Sequence, residues 1–257
     1  MPSPTRTTAA ALLAGLCLFP FVYLGVLSVG AQWTFPALVP PEWSLRRWGR
    51  VLSGSGDLGA SLGLSLAIAL TVALASTAAG YVTGKFIAYH RWRSRLLMLA
   101  YVPFAMSPVI LGTCLMYLFL TMDLAGSIPG VILAHVMFAY GFSILFFNAF
   151  WNARLKAMED LVYTLGGTPA EAYRNVLLPI STETLLICFF QTFLISWFQY
   201  GLTLLVGAGK VQTLPLKVFD FVNEANMYYA ALASCLIVVP PLVLLWANKR
   251  FVFRRRV

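Results

Sequence analysis

The chain has 257 residues, of which 60% are hydrophobic and only 11% charged, with a mean hydropathy of +0.81. A soluble domain carries about 45–50% apolar and about 25% charged residues, so that class is excluded. The formal net charge of +9 arises from bases in short segments flanking apolar runs, so a nucleic-acid partner is not needed to explain it.

A hydrocarbon core about 30 Å thick requires roughly 20 apolar residues per helix. Six runs of that length occur, at 9–31, 58–88, 96–121, 128–151, 182–206 and 227–247. The expected fold class is all-α integral membrane, with six transmembrane helices forming one domain over 1–257. The first run could be read as a cleaved signal peptide, with Arg6 as its charged region and Val29-Gly30-Ala31 as its cleavage site. It exceeds the roughly 7–15 apolar residues of a signal h-region, which favours a retained helix.

The second run holds two small-xxx-small pairs, Gly59 with Gly63 and Gly80 with Gly84, a spacing that predicts close helix packing. Ser107 and Tyr117 in the third run and Asn148 in the fourth are polar candidates for a transport pathway. His135 stands alone in the fourth run with no acidic residue on its helix, which favours a satisfied packing role. Between the fourth and fifth runs lies a polar segment, 152–181. There Gly166-Gly167 forms a hinge, Thr168 suits an N-cap, Pro169 the first helical position, and Glu171 a capping box. Pro179 predicts the end of that second small helix. Two small helices outside the bilayer amount to a docking surface.

On the fifth run Thr192, Ser196, Gln199 and Thr203 are spaced by four, three and four residues. At about 100° per residue they fall within roughly 60° of one another. Such a polar stripe either lines a pathway or hydrogen-bonds neighbouring helices. The six-helix reading places 13 Lys and Arg at the two termini, 85–95 and 152–181, against 5 in 40–54 and 207–226. The positive-inside rule therefore predicts cytoplasmic termini and a cytoplasmic 152–181 segment. The run Arg254-Arg255-Arg256 suits anionic lipid head groups of the bilayer.

Chemistry is absent from these patterns. Cys17, Cys114, Cys188 and Cys235 all lie in apolar runs without metal-ligand spacing. Gly207-Ala208-Gly209-Lys210 fails as a phosphate loop, because Val211 replaces the Ser/Thr and Leu204 the first Gly. No catalytic cluster and no charge in a helix core marks an enzyme or an ion-coupled carrier. A secondary transporter or channel working without an ATPase is the alternative reading.

The 152–181 segment resembles the EAA loop of permease subunits of binding-protein-dependent, type I ABC importers. That loop reads Glu-Ala-Ala, three residues, Gly, nine residues, then Ile-x-Leu-Pro. With its glycine on Gly166, Val176, Leu178 and Pro179 fall on the Ile, Leu and Pro positions, and Asp160 on the Glu. Leu161 and Val162 replace the two alanines, and the neighbouring Glu159 could supply the longer acid instead. Ser196-x-x-Gln199-Tyr200-x-x-Thr203, Thr213-Leu214-Pro215-x-x-Val218-Phe219 and the Pro40 to Leu45 run are similar to the spermidine/putrescine, iron, thiamine and sulfate branch. The resemblance implies a type I permease fold in a bacterial or archaeal cytoplasmic membrane. It also implies that Glu159, Asp160, Gly166, Gly167, Thr168, Pro169, Glu171, Val176, Leu178 and Pro179 couple to an ABC ATPase dimer. The chain itself would be non-catalytic and bind no cofactor, with ATP and Mg²⁺ held by the ATPase. A second permease subunit would complete the pore. An external solute-binding protein would meet the segment after the first helix and the loop 210–224.

Overall fold

The computed structural model describes residues 4–31, 40–53 and 56–252; the basic run Arg254-Arg255-Arg256 lies outside them. Five helical spans among the described residues are long and apolar enough to cross a membrane: Leu12–Val29, Asp57–Tyr89, Ile128–Phe150, Pro169–Trp197 and Met227–Lys249. Two further apolar helices, Arg93–Ala105 and Pro108–Thr121, are bent by 98° to one another, and counted as one broken span they give six.

Contacts divide the chain into two compact units. The first comprises Met1–Leu64 and Gln212–Leu242. Here α1 (Pro4–Val29) runs into a two-residue strand β1 (Gly30–Ala31), paired antiparallel with β2 (Glu42–Trp43). The C-terminus of α1 leaves carbonyls without helical partners, which need donors from elsewhere. Arg47, in α2 (Arg46–Leu52), donates to Ser28 O at 3.3 Å and Gly30 O at 2.8 Å, and Ser44 N donates to Val29 O at 2.8 Å. The Arg47 guanidinium also lies 4.7 Å from the Tyr228 ring centre, a favourable cation–π placement. Residues 42–47 thus cap the C-terminal end of α1.

The second unit comprises Ser65–Val211 and Val243–Val257. It holds most of α3 (Asp57–Tyr89), then α4 (Arg93–Ala105), α5 (Pro108–Thr121) and α6 (Ile128–Phe150). It continues through α7 (Ala153–Thr164), α8 (Pro169–Glu171), a π-helical stretch Ala172–Leu177, α9 (Leu178–Trp197) and α10 (Gly201–Gly207). Helix α6 is more buried than the other spanning helices and packs on α4, α9 and α10. It also meets α3, where Gly80 faces Ser143 and Gly84 faces Phe147; a Cβ on Gly84 would fall 2.8 Å from Phe147 Cβ. The Gly80 and Gly84 pair therefore packs backbone against side chain as its spacing predicts. A Cβ on Gly63 would meet nothing within 4 Å, so that glycine makes no such contact.

Three boundaries differ from the sequence expectation. The run 96–121 is two helices because Pro108 disfavours helical geometry at Ser107, which is extended and caps the second helix by accepting from Val109 N at 3.4 Å. The run 182–206 breaks after Trp197 and resumes at Gly201. Pro179 does not end the small helix: the chain passes through it into α9. A π turn shifts the bonding register, with Leu178 N donating to Tyr173 O, five residues back. Pro179 then lies in the first turn of α9, where proline is tolerated.

Candidate functional site

The elbow between α7 and α9 is built from local signals. Asn152 starts α7, its side-chain oxygen accepting from Leu155 N at 3.1 Å. The helix ends on a Schellman pair: Gly166 N donates to Tyr163 O at 3.0 Å and Gly167 N to Val162 O at 2.9 Å. Gly166 has φ +81°, a left-handed conformation that favours glycine. Gly167 is needed for a different reason, since a Cβ there would lie 2.5 Å from Val162 Cγ1. The chain then restarts on the expected capping box. Thr168 Oγ1 accepts from Glu171 N at 3.3 Å, Glu171 Oε2 accepts from Thr168 N at 2.7 Å, and Pro169 fills the first turn.

This double stop-and-start fixes what the elbow displays. Asp160 is exposed, and beside it Leu161 and Leu165 are 59% and 80% exposed. The two leucines are four residues apart and share one helix face. Thr168, Pro169 and Glu171 are exposed as well, and Leu178 and Pro179 lie exposed at the start of α9. Val176 is half-buried and Leu177 is buried. Large exposed leucines flanking an acid form an exposed amphipathic face.

Glu159 faces the other way. Its Oε1 accepts from Lys85 Nζ at 2.6 Å and from Tyr163 Oη at 2.7 Å, with both side chains of the ion pair largely covered, at 13% and 19% exposure. Desolvation works to raise the Glu159 carboxyl, but hydrogen bonds from Lys85 and Tyr163 and the charges of Lys85 and Lys156 outweigh it. The carboxyl is held below the ordinary carboxylate range. The same contact raises the Tyr163 hydroxyl, chiefly through its hydrogen bond to Glu159. Lys85 Nζ also lies 5.3 Å from the Tyr173 ring centre and 5.7 Å from that of Trp151. Beneath these rings sits a core of Tyr81, Phe147, Trp151, Leu155, Leu177 and Cys188.

The polar stripe separates on folding. Thr192 shares a 3.1 Å hydrogen bond with Thr77 of α3, and Ser196 and Thr203 each lie 2.9 Å from a ring nitrogen of His135. Thr77, Thr192, His135, Ser196 and Thr203 are all five buried among helices, so these hydroxyls are engaged inside the protein. Gln199 sits in the break between α9 and α10, and its Nε2 is covered without a hydrogen-bond partner. Asn148 accepts from Arg93 Nε at 3.0 Å, Ser107 caps α5, and Tyr117 is 77% exposed. These last three are not brought together with the stripe's hydrogen-bonded hydroxyls. Sequence reasoning missed Lys85, Tyr163 and Tyr173; the only signal was a single lysine at the end of a long apolar helix.

No family model matches the chain. It is 24% identical over 264 aligned residues to the putative 2-aminoethylphosphonate transport system permease protein PhnV of Salmonella typhimurium, covering 98% of this chain and 97% of that one. It is 26% identical over 193 residues to the trehalose transport system permease protein SugB of Mycobacterium tuberculosis, covering 71% and 69%. Over 125 residues it is 30% identical to the diacetylchitobiose uptake system permease protein DasC of Streptomyces coelicolor, covering 48% and 45%. The fold matches a chain from the crystal structure of a bacterial ABC transporter involved in alginate import, with a TM-score of 0.64 at 13% identity over 96% and 95% of the two chains. In sequence the chain is similar to permease proteins of transport systems, and in fold to a chain of an ABC importer that spans the membrane.

Proposed function

We propose that this permease is half of a translocation pathway driven by a separate ATPase, and that the elbow is the part the ATPase holds. The observation that carries this reading is the face formed by Asp160, Leu161 and Leu165, displayed on a hinge with both ends capped. Asp160 is the carboxylate that meets a base of the ATPase, because Glu159 is already engaged by Lys85. ATP and Mg²⁺ stay on the ATPase dimer, and a second permease subunit completes the pore. The elbow and both termini are cytoplasmic, consistent with the arginine and lysine distribution. The segment after the first helix, with α2, and the loop 210–224, with the short helix α11 (Leu214–Asn223), receive an external solute-binding protein.

The solute is small and hydrophilic, as in the names of the relatives: trehalose, diacetylchitobiose and 2-aminoethylphosphonate. Gln199, with an amide donor that no protein group satisfies, is the pathway residue best placed to meet it. The test is affinity purification of the permease with its ATPase. Asp160→Ala or Leu165→Asp should weaken ATPase retention about tenfold, as loss of one interface hot spot does. Retention equal to wild type in both variants would contradict the elbow as the docking site.

A further inference from the structure

Lys85 reaches both arms of the elbow from the end of a transmembrane helix. Its ammonium is 2.6 Å from Glu159 Oε1 on α7 and 5.3 Å from the ring of Tyr173, which follows the hinge. Tyr163, four residues after Glu159, donates to the same carboxylate oxygen at 2.7 Å. The pair is largely covered, so water screens it less than an exposed pair. Helix α3, which carries Lys85, is unbroken from Asp57 to Tyr89 and packs closely on α6 through Gly80 and Gly84. A displacement of the elbow therefore has a charged, short and rigid connection into the transmembrane helices.

We propose that Lys85 is a positioning residue for transport: through Glu159 and the Tyr173 ring it makes α3 follow the elbow when the ATPase moves it. The inference rests on the importer reading, but concerns a contact inside this chain, away from the ATPase-facing Asp160, Leu161 and Leu165. If Lys85 only stabilised the fold, its removal would lower yield and leave transport per ATP unchanged. If it transmits motion, hydrolysis and transport must separate.

The experiment uses the complete transporter in proteoliposomes, with ATP hydrolysis and solute uptake measured on the same preparations. Lys85→Met should retain the ATPase on purification and keep hydrolysing ATP, while uptake per ATP falls about tenfold, within the usual span of a coupling between two sites. Glu159→Gln should do the same. The exchange Lys85→Glu with Glu159→Lys should recover most of the lost uptake, which neither single reversal does. Lys85→Arg, which keeps the charge, should stay within about twofold of wild type. Uptake per ATP unchanged in Lys85→Met, or an exchange variant as defective as its parents, overturns the proposal. Should Lys85→Met not fold, Glu159→Gln with Tyr163→Phe carries the same reading, and unchanged coupling there is equally contrary. Failure of the importer reading is distinct, because the wild-type transporter would then show no ATP-driven uptake.

Discussion

At the scale of single residues, the same side-chain chemistry has separated into different tasks. Thr192, Ser196 and Thr203 share one helical stripe with Gln199 in sequence, yet only the amide is left without a partner. The three hydroxyls hold helices together, each bond contributing about 0.6 kcal/mol within a membrane. Replacing Ser196 by Ala should therefore lower thermal stability slightly and leave uptake within about twofold, whereas Gln199→Ala should change uptake or specificity; uptake assays on both variants decide it. The stripe was legible in the sequence, but its partners were not. His135 is 61 residues from Ser196 and 68 from Thr203, and nothing local marks that meeting.

Glu159 gives a pH prediction of definite sign. Its carboxyl is lower in the folded protein than in the unfolded chain, against a desolvation effect that works the other way. A depressed carboxylate contributes stability that is complete above its unfolded value and is lost as the pH falls through its folded value. The groups that favour its charged form are Lys85, Tyr163 and Lys156. Melting curves of wild type and Glu159→Gln should therefore differ near neutral pH and converge in acid, below the ordinary carboxylate range. Curves whose separation is independent of pH would show that the charge of Glu159 contributes nothing to stability.

At the scale of elements, what was legible followed from how local the physics is. The elbow could be read because a left-handed glycine, a capping box and a first-turn proline each act within four residues. Its continuation could not, because the π turn at Ala172–Leu177 that carries the chain past Pro179 depends on how the elbow packs on Leu155 and Trp151. The division of 96–121 had a local signal, Ser107 followed by Pro108, hidden within a run apolar enough to read as one helix. The α3–α6 crossing is tight at Gly80 and Gly84. Gly84→Ala would force a methyl against Phe147 and should cost about 1–3 kcal/mol as overpacking, seen as a lower melting temperature in detergent. Gly63→Ala, with open space around it, should be neutral by the same measurement.

For the whole molecule, the composition set the membrane class and the charge distribution set an orientation that labelling can test. With the native thiols Cys17 and Cys114 removed, a cysteine placed at Leu165 should react with an impermeant reagent only from the cytoplasmic side, and one placed at Trp43 only from the outside. The most direct measurement is solute uptake by vesicles holding the permease with and without its ATPase. Uptake should vanish without the ATPase or without ATP, and should fall in step with ATPase retention in Asp160→Ala. Solute moved at the full rate by the permease alone, with no nucleotide hydrolysed, would contradict the account.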